Sequence, residues 1–265
     1  MLAQRVFSAL IALAVVLGAI FLVEAAVTVI ALVAIIALAG WEWTGLFNGR
    51  GAVIKLAYAV AIAGTFAAAW WWVPTIATQP QPLMWSALVF WGLAFVTILR
   101  FPVRFPPSLV FVVGFVLLVP AFVALAYVVS GPLGDLRLLT LLVVIWAADV
   151  GAYFVGRRFG RVRLAPQVSP GKSWEGVAGG LVAAGLVGVV AAEYLGEPQA
   201  AFAALAIATA ALSIVGDLTI SMFKRNAGVK DSGTLFPGHG GLLDRVDSIC
   251  AGAPLFTLGL SLVGG

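Results

Sequence analysis

Residues 6–39 read VFSALIALAVVLGAIFLVEAAVTVIALVAIIALA, and Glu24 is the only ionisable side chain among them. A helix crosses a bilayer with about 20 apolar residues. The run is therefore too long for one span, and Glu24 marks the natural break between two. A single long, tilted helix is the alternative. Either way the segment needs lipid around it, and the rest of the chain needs the same. The sequence is 63% hydrophobic and only 10% Asp, Glu, Lys and Arg, whereas a soluble domain carries roughly 25% charged residues. Water could not keep such a surface wet. Thirty glycines suit close packing of membrane helices. The single cysteine, Cys250, excludes an intrachain disulfide. No small-residue cleavage site follows a short apolar region near the start, so the first span is expected to be retained.

About nine spans are predicted, at roughly 5–23, 26–46, 53–73, 83–99, 107–129, 138–156, 175–194, 200–222 and 246–262. The fold class is thus an all-α polytopic integral membrane protein. Charges sort by connection. Arg5, Arg50 with Lys55, Arg100 with Arg104, Arg157 to Lys172, and Lys224 to Arg245 fall on one set of connections. Glu24, Asp135 with Arg137, and Glu193 with Glu197 fall on the other. Positive charge alternating with span count puts the N-terminus and the basic loops in the cytoplasm and the C-terminus outside. In a bacterial cell this means the inner membrane. Trp41 and Trp43, and Trp70 to Trp72, fall near predicted span ends and read as an interfacial aromatic belt. The polar residues divide the chain into a scaffold region, 1–130 with about five helices, and a catalytic region, 131–265 with about four.

Three constellations in the second region carry chemistry. In SIVGDLTISMFKR (213–225), Asp217, Ser221 and Lys224 share a helix face at i, i+4 and i+7. An acid inside a span is expensive and faces a cavity or a partner. In GHGGLLDRVDS (238–248), Asp244, Asp247 and Ser248 lie at i, i+3 and i+4 at the start of a span. Their carboxylates suit a helix N-terminus or, with Asp217, a hard divalent cation such as Mg²⁺, which takes one or two carboxylates plus substrate phosphates. Between them, Lys230, Asp231 and His239 stand among glycines, including Gly240 and Gly241, which let backbone N–H groups approach a ligand.

The loop ending SPGKSWEG (169–176) breaks a helix at Pro170–Gly171 and restarts one at Ser173, a natural N-cap. Lys172 just before a helix N-terminus suits an anion. A Walker A loop is excluded, because residue 166 is proline where that motif needs glycine. Asp149 stands two turns before Arg157, again inside a span. Acids for a metal, cations for phosphate and glycine-rich backbone at one membrane edge indicate phosphoryl or nucleotidyl transfer with a lipid substrate. The pattern calls for no nucleic acid.

The run from Ser221 to Asp247 resembles the signature of phosphatidate cytidylyltransferases (CDP-diacylglycerol synthases). Ser221, Lys224, Arg225, Lys230, Asp231, Gly233, Phe236, Pro237, His239, Gly240, Gly241, Asp244, Arg245 and Asp247 fill it. The GD pair at 216–217 and the SPGKSWEG loop are similar to the family too, with Gly171 where a lysine is common and Ser173 for threonine. The resemblance implies transfer of CMP from CTP to phosphatidate, giving CDP-diacylglycerol and pyrophosphate. It implies Mg²⁺, leaves open a second, monovalent cation, and implies a homodimer. Carried onto this chain, it makes Asp217, Lys224, Arg225, Asp244 and Asp247 catalytic. Lys172, Ser173, Ser221, Lys230, His239, Gly240, Gly241 and Arg245 would bind substrate. Asp217, Asp244, Asp231 and Asp247 are the metal candidates. A CTP-dependent polyprenol kinase and a membrane transporter are the alternatives.

Overall fold

The computed structural model describes residues 16–233, 235 and 240–263. In chain order it forms α1 (Ala25–Trp43), a 3₁₀ turn (Thr44–Phe47), α2 (Ala52–Trp72), a short α3 (Pro74–Thr78), α4 (Gln81–Leu99), α5 (Pro107–Ser130) and α6 (Gly134–Phe159). A small antiparallel hairpin, β1 (Arg163–Ala165) and β2 (Ser169–Ser173), precedes α7 (Trp174–Leu195), α8 (Gln199–Asn226) and α9 (Leu243–Val263). Among the described residues, eight helices are long and apolar enough to cross a membrane. This is the expected all-α architecture. The first predicted span, 5–23, lies mostly outside the described residues. Residues 16–21 are helical, the chain bends at 22–23, and α1 starts after Glu24, so the long apolar run does break at its one acid.

The helices are apolar on most faces, which suits elements surrounded by lipid on one side and protein on the other. Leu22, Val53, Trp72, Leu93 and Leu186 lie exposed on the outside of the bundle. α5 and α9 are its most buried helices and pack on each other, with α1 against α5 and α8 against α9. Lys55 lies over the Trp41 ring, and Trp71 and Trp72 are exposed, as an interfacial belt requires. Trp43 departs from that expectation. It is fully buried, and its indole Nε1 donates to the Val110 carbonyl at 2.8 Å. A tryptophan with a satisfied N–H can serve as core, and this one fixes the end of α1 to α5.

α6, α7 and α8 pack in sequence, and the first two touch backbone to backbone. A Cβ at Gly180 would lie 2.6 Å from the Ala148 carbonyl oxygen. Gly180→Val should therefore force the two helices apart. Overpacking of this kind costs about 1–3 kcal/mol. We expect a lower unfolding temperature in detergent, whereas Leu186→Val on the exposed face of the same helix should leave it unchanged.

The connections gather at two ends. At one end Arg225 Nε donates to the Val168 carbonyl in the hairpin turn (3.3 Å), and Asn226 Oδ1 accepts from Phe105 N (3.1 Å). At the other end Arg137 pairs with Glu197 at 3.4 Å, tying the start of α6 to the α7–α8 turn. The basic connections thus share one end of the bundle, as the alternation of charge along the sequence requires.

Candidate active site

The site lies at the end where the basic connections meet. Asp217 sits within α8, half-buried, and accepts a hydrogen bond from Ser221 Oγ one turn later (3.2 Å). Its ion-pair partner is Lys172, delivered by β2. The hairpin was not foreseen. Pro166 and Pro170 make the segment read as loop, yet β1 and β2 pair with Pro166 in the turn and Pro170 within β2, and this pairing brings Lys172 to Asp217 of α8. Ser173 then caps α7 as expected, its Oγ accepting from Gly176 N at 3.1 Å. Glu175 in the first turn of α7 accepts from Val162 N at 3.2 Å and holds the hairpin base.

α9 brings the next acid. A Cβ at Gly216 would lie 2.6 Å from the Asp247 carbonyl oxygen, so the glycine lets α9 lie directly on α8 at this level. Asp247, buried, comes to the level of Asp217 on the neighbouring helix as a result. Asp149 of α6 lines the same cavity as Lys172. Lys172 therefore pairs with one carboxylate, Asp217, while Asp247 lies on the helix packed against Gly216. Among the described residues no three acid, histidine or cysteine side chains converge tightly enough to enclose a metal by themselves. Two adjacent carboxylates beside a phosphate-bearing ligand are, however, the donor set that Mg²⁺ commonly takes.

Asp244 stands apart from this group. Its Oδ1 pairs with buried Lys224 at 2.6 Å, and its Oδ2 accepts from Ser232 N and Gly241 N, both at 3.0 Å. Both oxygens are engaged in holding the α8–α9 connection. Gly240, with φ of 80°, lies against the Asp244 carboxylate and near Asp231. Lys230 and Asp231 are exposed beside it, and Arg225 is turned toward the hairpin. Arg245 lies on the exposed side of α9. His239 lies outside the described residues.

A cavity of about 460 Å³ opens between α6, the hairpin and α7. Its wall includes Asp149, Tyr153, Arg157, Arg163, Lys172 and Ser173. Arg157 donates to the Tyr153 hydroxyl at 2.8 Å. Three cations around a cavity, one of them the ion-pair partner of Asp217, suit a ligand carrying several phosphates.

Sequence reasoning missed Glu42. This residue of the supposed scaffold reaches across to Ser232, Leu242 and Leu243. The available signal was an acid at the end of an apolar run, where ionisable groups are costly.

The description "Cytidylyltransferase family" matches residues 3–263 of the chain. A phosphatidate cytidylyltransferase of Pseudomonas aeruginosa is 40% identical, with 97% of this chain and 96% of the relative aligned. One of Haemophilus influenzae is 39% identical, covering 97% and 98%. One of Synechocystis is 49% identical over 47% of this chain and 43% of its own. An apolar bundle gathering acids and lysines at one end, matched along nearly its whole length, leaves one assignment: the chain belongs to the cytidylyltransferase family.

Proposed function

We infer that the chain transfers CMP from CTP to phosphatidate, producing CDP-diacylglycerol and pyrophosphate for phospholipid synthesis. The observation that carries this is the ion pair of Lys172 with Asp217, next to a cation-lined cavity and at the level where α9 brings Asp247 against α8. The names of the full-length relatives supply the substrate class. A phosphate oxygen of the lipid attacks the α-phosphorus of CTP. The bond from that phosphorus to the oxygen bridging to the β-phosphate breaks, and pyrophosphate leaves with the electron pair. The lipid phosphate is already anionic, so no strong base is required. The barrier is repulsion between anions, and the remedy is positioned positive charge.

Lys172, Arg157 and Arg163 would meet the phosphates in the cavity. Lys172 can exchange its carboxylate partner for a phosphate as substrate enters. Mg²⁺ would be held by Asp217 and Asp247, with Asp149 nearby, and would supply charge neutralisation between the phosphates. Asp231 is a further candidate in the exposed loop. Lys224 and Asp244 keep the α8–α9 connection in place. A second, monovalent cation and a homodimer belong to the same proposal and rest on the family resemblance. So do a cytoplasmic site and N-terminus, an external C-terminus and an inner-membrane location, which the grouping of basic connections favours.

The test is label transfer with purified protein in detergent, phosphatidate and Mg²⁺. Label from the α-phosphate of CTP should enter lipid, and chelation by EDTA should stop it. Entry of γ-phosphate label instead would replace this reaction with a lipid kinase. Entry of neither, with folded protein, would overturn transfer altogether.

A further inference from the structure

We propose that Glu42 is a positioning residue for this reaction: from the end of α1 it fixes the start of α9 and, through it, the acids Asp244 and Asp247. The inference rests on the transfer reaction proposed above. Glu42 lies at the end of α1, only 9% exposed, one residue before the buried Trp43 that anchors that end to α5. Its Oε1 accepts from Leu242 N at 3.0 Å. Its Oε2 accepts from Leu243 N at 2.8 Å and from Ser232 Oγ at 3.0 Å. Among the described residues no cation lies within 4 Å of the carboxylate. The helix supplies the compensation instead, because the first N–H groups of α9 are unpartnered within the helix and its N-terminus carries positive potential. A carboxylate supplied by another helix thus does the work of an N-cap.

The fit is close on both sides. A Cβ at Gly241 would collide with Glu42 Oε2 and one at Gly233 with Oε1, so these glycines admit the carboxylate. Ser232 is held twice, its hydroxyl by Glu42 and its backbone N–H by Asp244. Asp244 in turn is held by Lys224. Glu42 therefore sets the position of the first turn of α9, and Asp247 lies one turn further along the same helix. A displacement of about 1 Å in a reacting group can cost on the order of 10²-fold in rate. Glutamine at position 42 would present an NH₂ group where a carboxylate oxygen now accepts, setting donor against donor.

The test compares Glu42→Gln, Glu42→Asp and Trp43→Phe with wild type in detergent. Trp43→Phe removes the neighbouring buried hydrogen bond and serves as the structural control. Glu42→Gln should lower kcat for CMP transfer on the order of 10²-fold, with little change in KM for CTP. Glu42→Asp, which keeps the charge, should recover part of the loss. Trp43→Phe should lower the unfolding temperature and leave kcat unchanged in the folded protein. Hydrogen exchange at the Leu242 and Leu243 amides should accelerate in Glu42→Gln. Full kcat in folded Glu42→Gln, or a loss no larger than its folded fraction explains, would overturn the proposal. A wild type without CMP transfer would sink the reaction itself; unchanged exchange at the two amides would then still overturn the hold that Glu42 has on α9.

Discussion

Asp217→Asn should remove CMP transfer while leaving a folded protein, with kcat falling on the order of 10³-fold. The substitution is nearly isosteric, and an amide oxygen still accepts from Ser221 Oγ, which now bonds Oδ1 at 3.2 Å. What disappears is the negative charge facing Lys172 and lying beside Asp247. Lys172 is 27% exposed, so water can compensate its lost partner and the folding penalty stays small. The reaction has no such substitute. With one acid of the pair neutral, a divalent ion held there as proposed would lose a ligand, and the phosphates would lose the neutralisation it supplies. Glutamate at 217 should not rescue, because one added methylene moves the carboxylate off the position opposite Asp247. Steady-state kinetics with α-labelled CTP, alongside thermal unfolding, decides the matter. Transfer within tenfold of wild type would remove Asp217 from the site.

Lys224→Met should act mainly on stability. The Lys224–Asp244 pair is buried, with side chains 9% and 12% exposed. Removing one partner of a buried pair leaves the other charge uncompensated, at a cost of about 3–5 kcal/mol. The loss propagates, because Asp244 also holds Ser232 N and Gly241 N. Lys224→Met should therefore unfold well below wild type in detergent and lose transfer. Adding Asp244→Asn to it removes the stranded charge and should recover part of the stability without recovering activity. A double variant no more stable than Lys224→Met would contradict the pairing.

Much of the fold could be read from composition because lipid imposes a simple demand: long apolar runs. The predicted span 107–129 is observed as Pro107–Ser130, and 175–194 as Trp174–Leu195. Agreement weakens where helices project past the apolar layer. The span predicted at 138–156 runs from Gly134 to Phe159, because Asp135 and Arg157 are helical as well as polar. Local spacing also served within one helix, as the Asp217–Ser221 contact shows. It could not reveal that Lys172 meets Asp217, since that contact depends on a hairpin whose prolines read as loop. Nor could it reveal Glu42, whose partners lie at the other end of the chain and whose neighbour Trp43 reads as an interfacial anchor rather than as core.

The backbone contacts at Gly180 and Gly216 invert the usual meaning of size in this protein. In a water-soluble enzyme the bulky interior residues are the ones that cannot be lost. Here the part of the frame that aligns Asp149, Asp217 and Asp247 depends on atoms that are absent, and many of the large side chains merely face lipid. A systematic alanine scan would consequently read backwards along α6 to α9: adding a methyl group at a glycine would do more harm than stripping a leucine from the bilayer face.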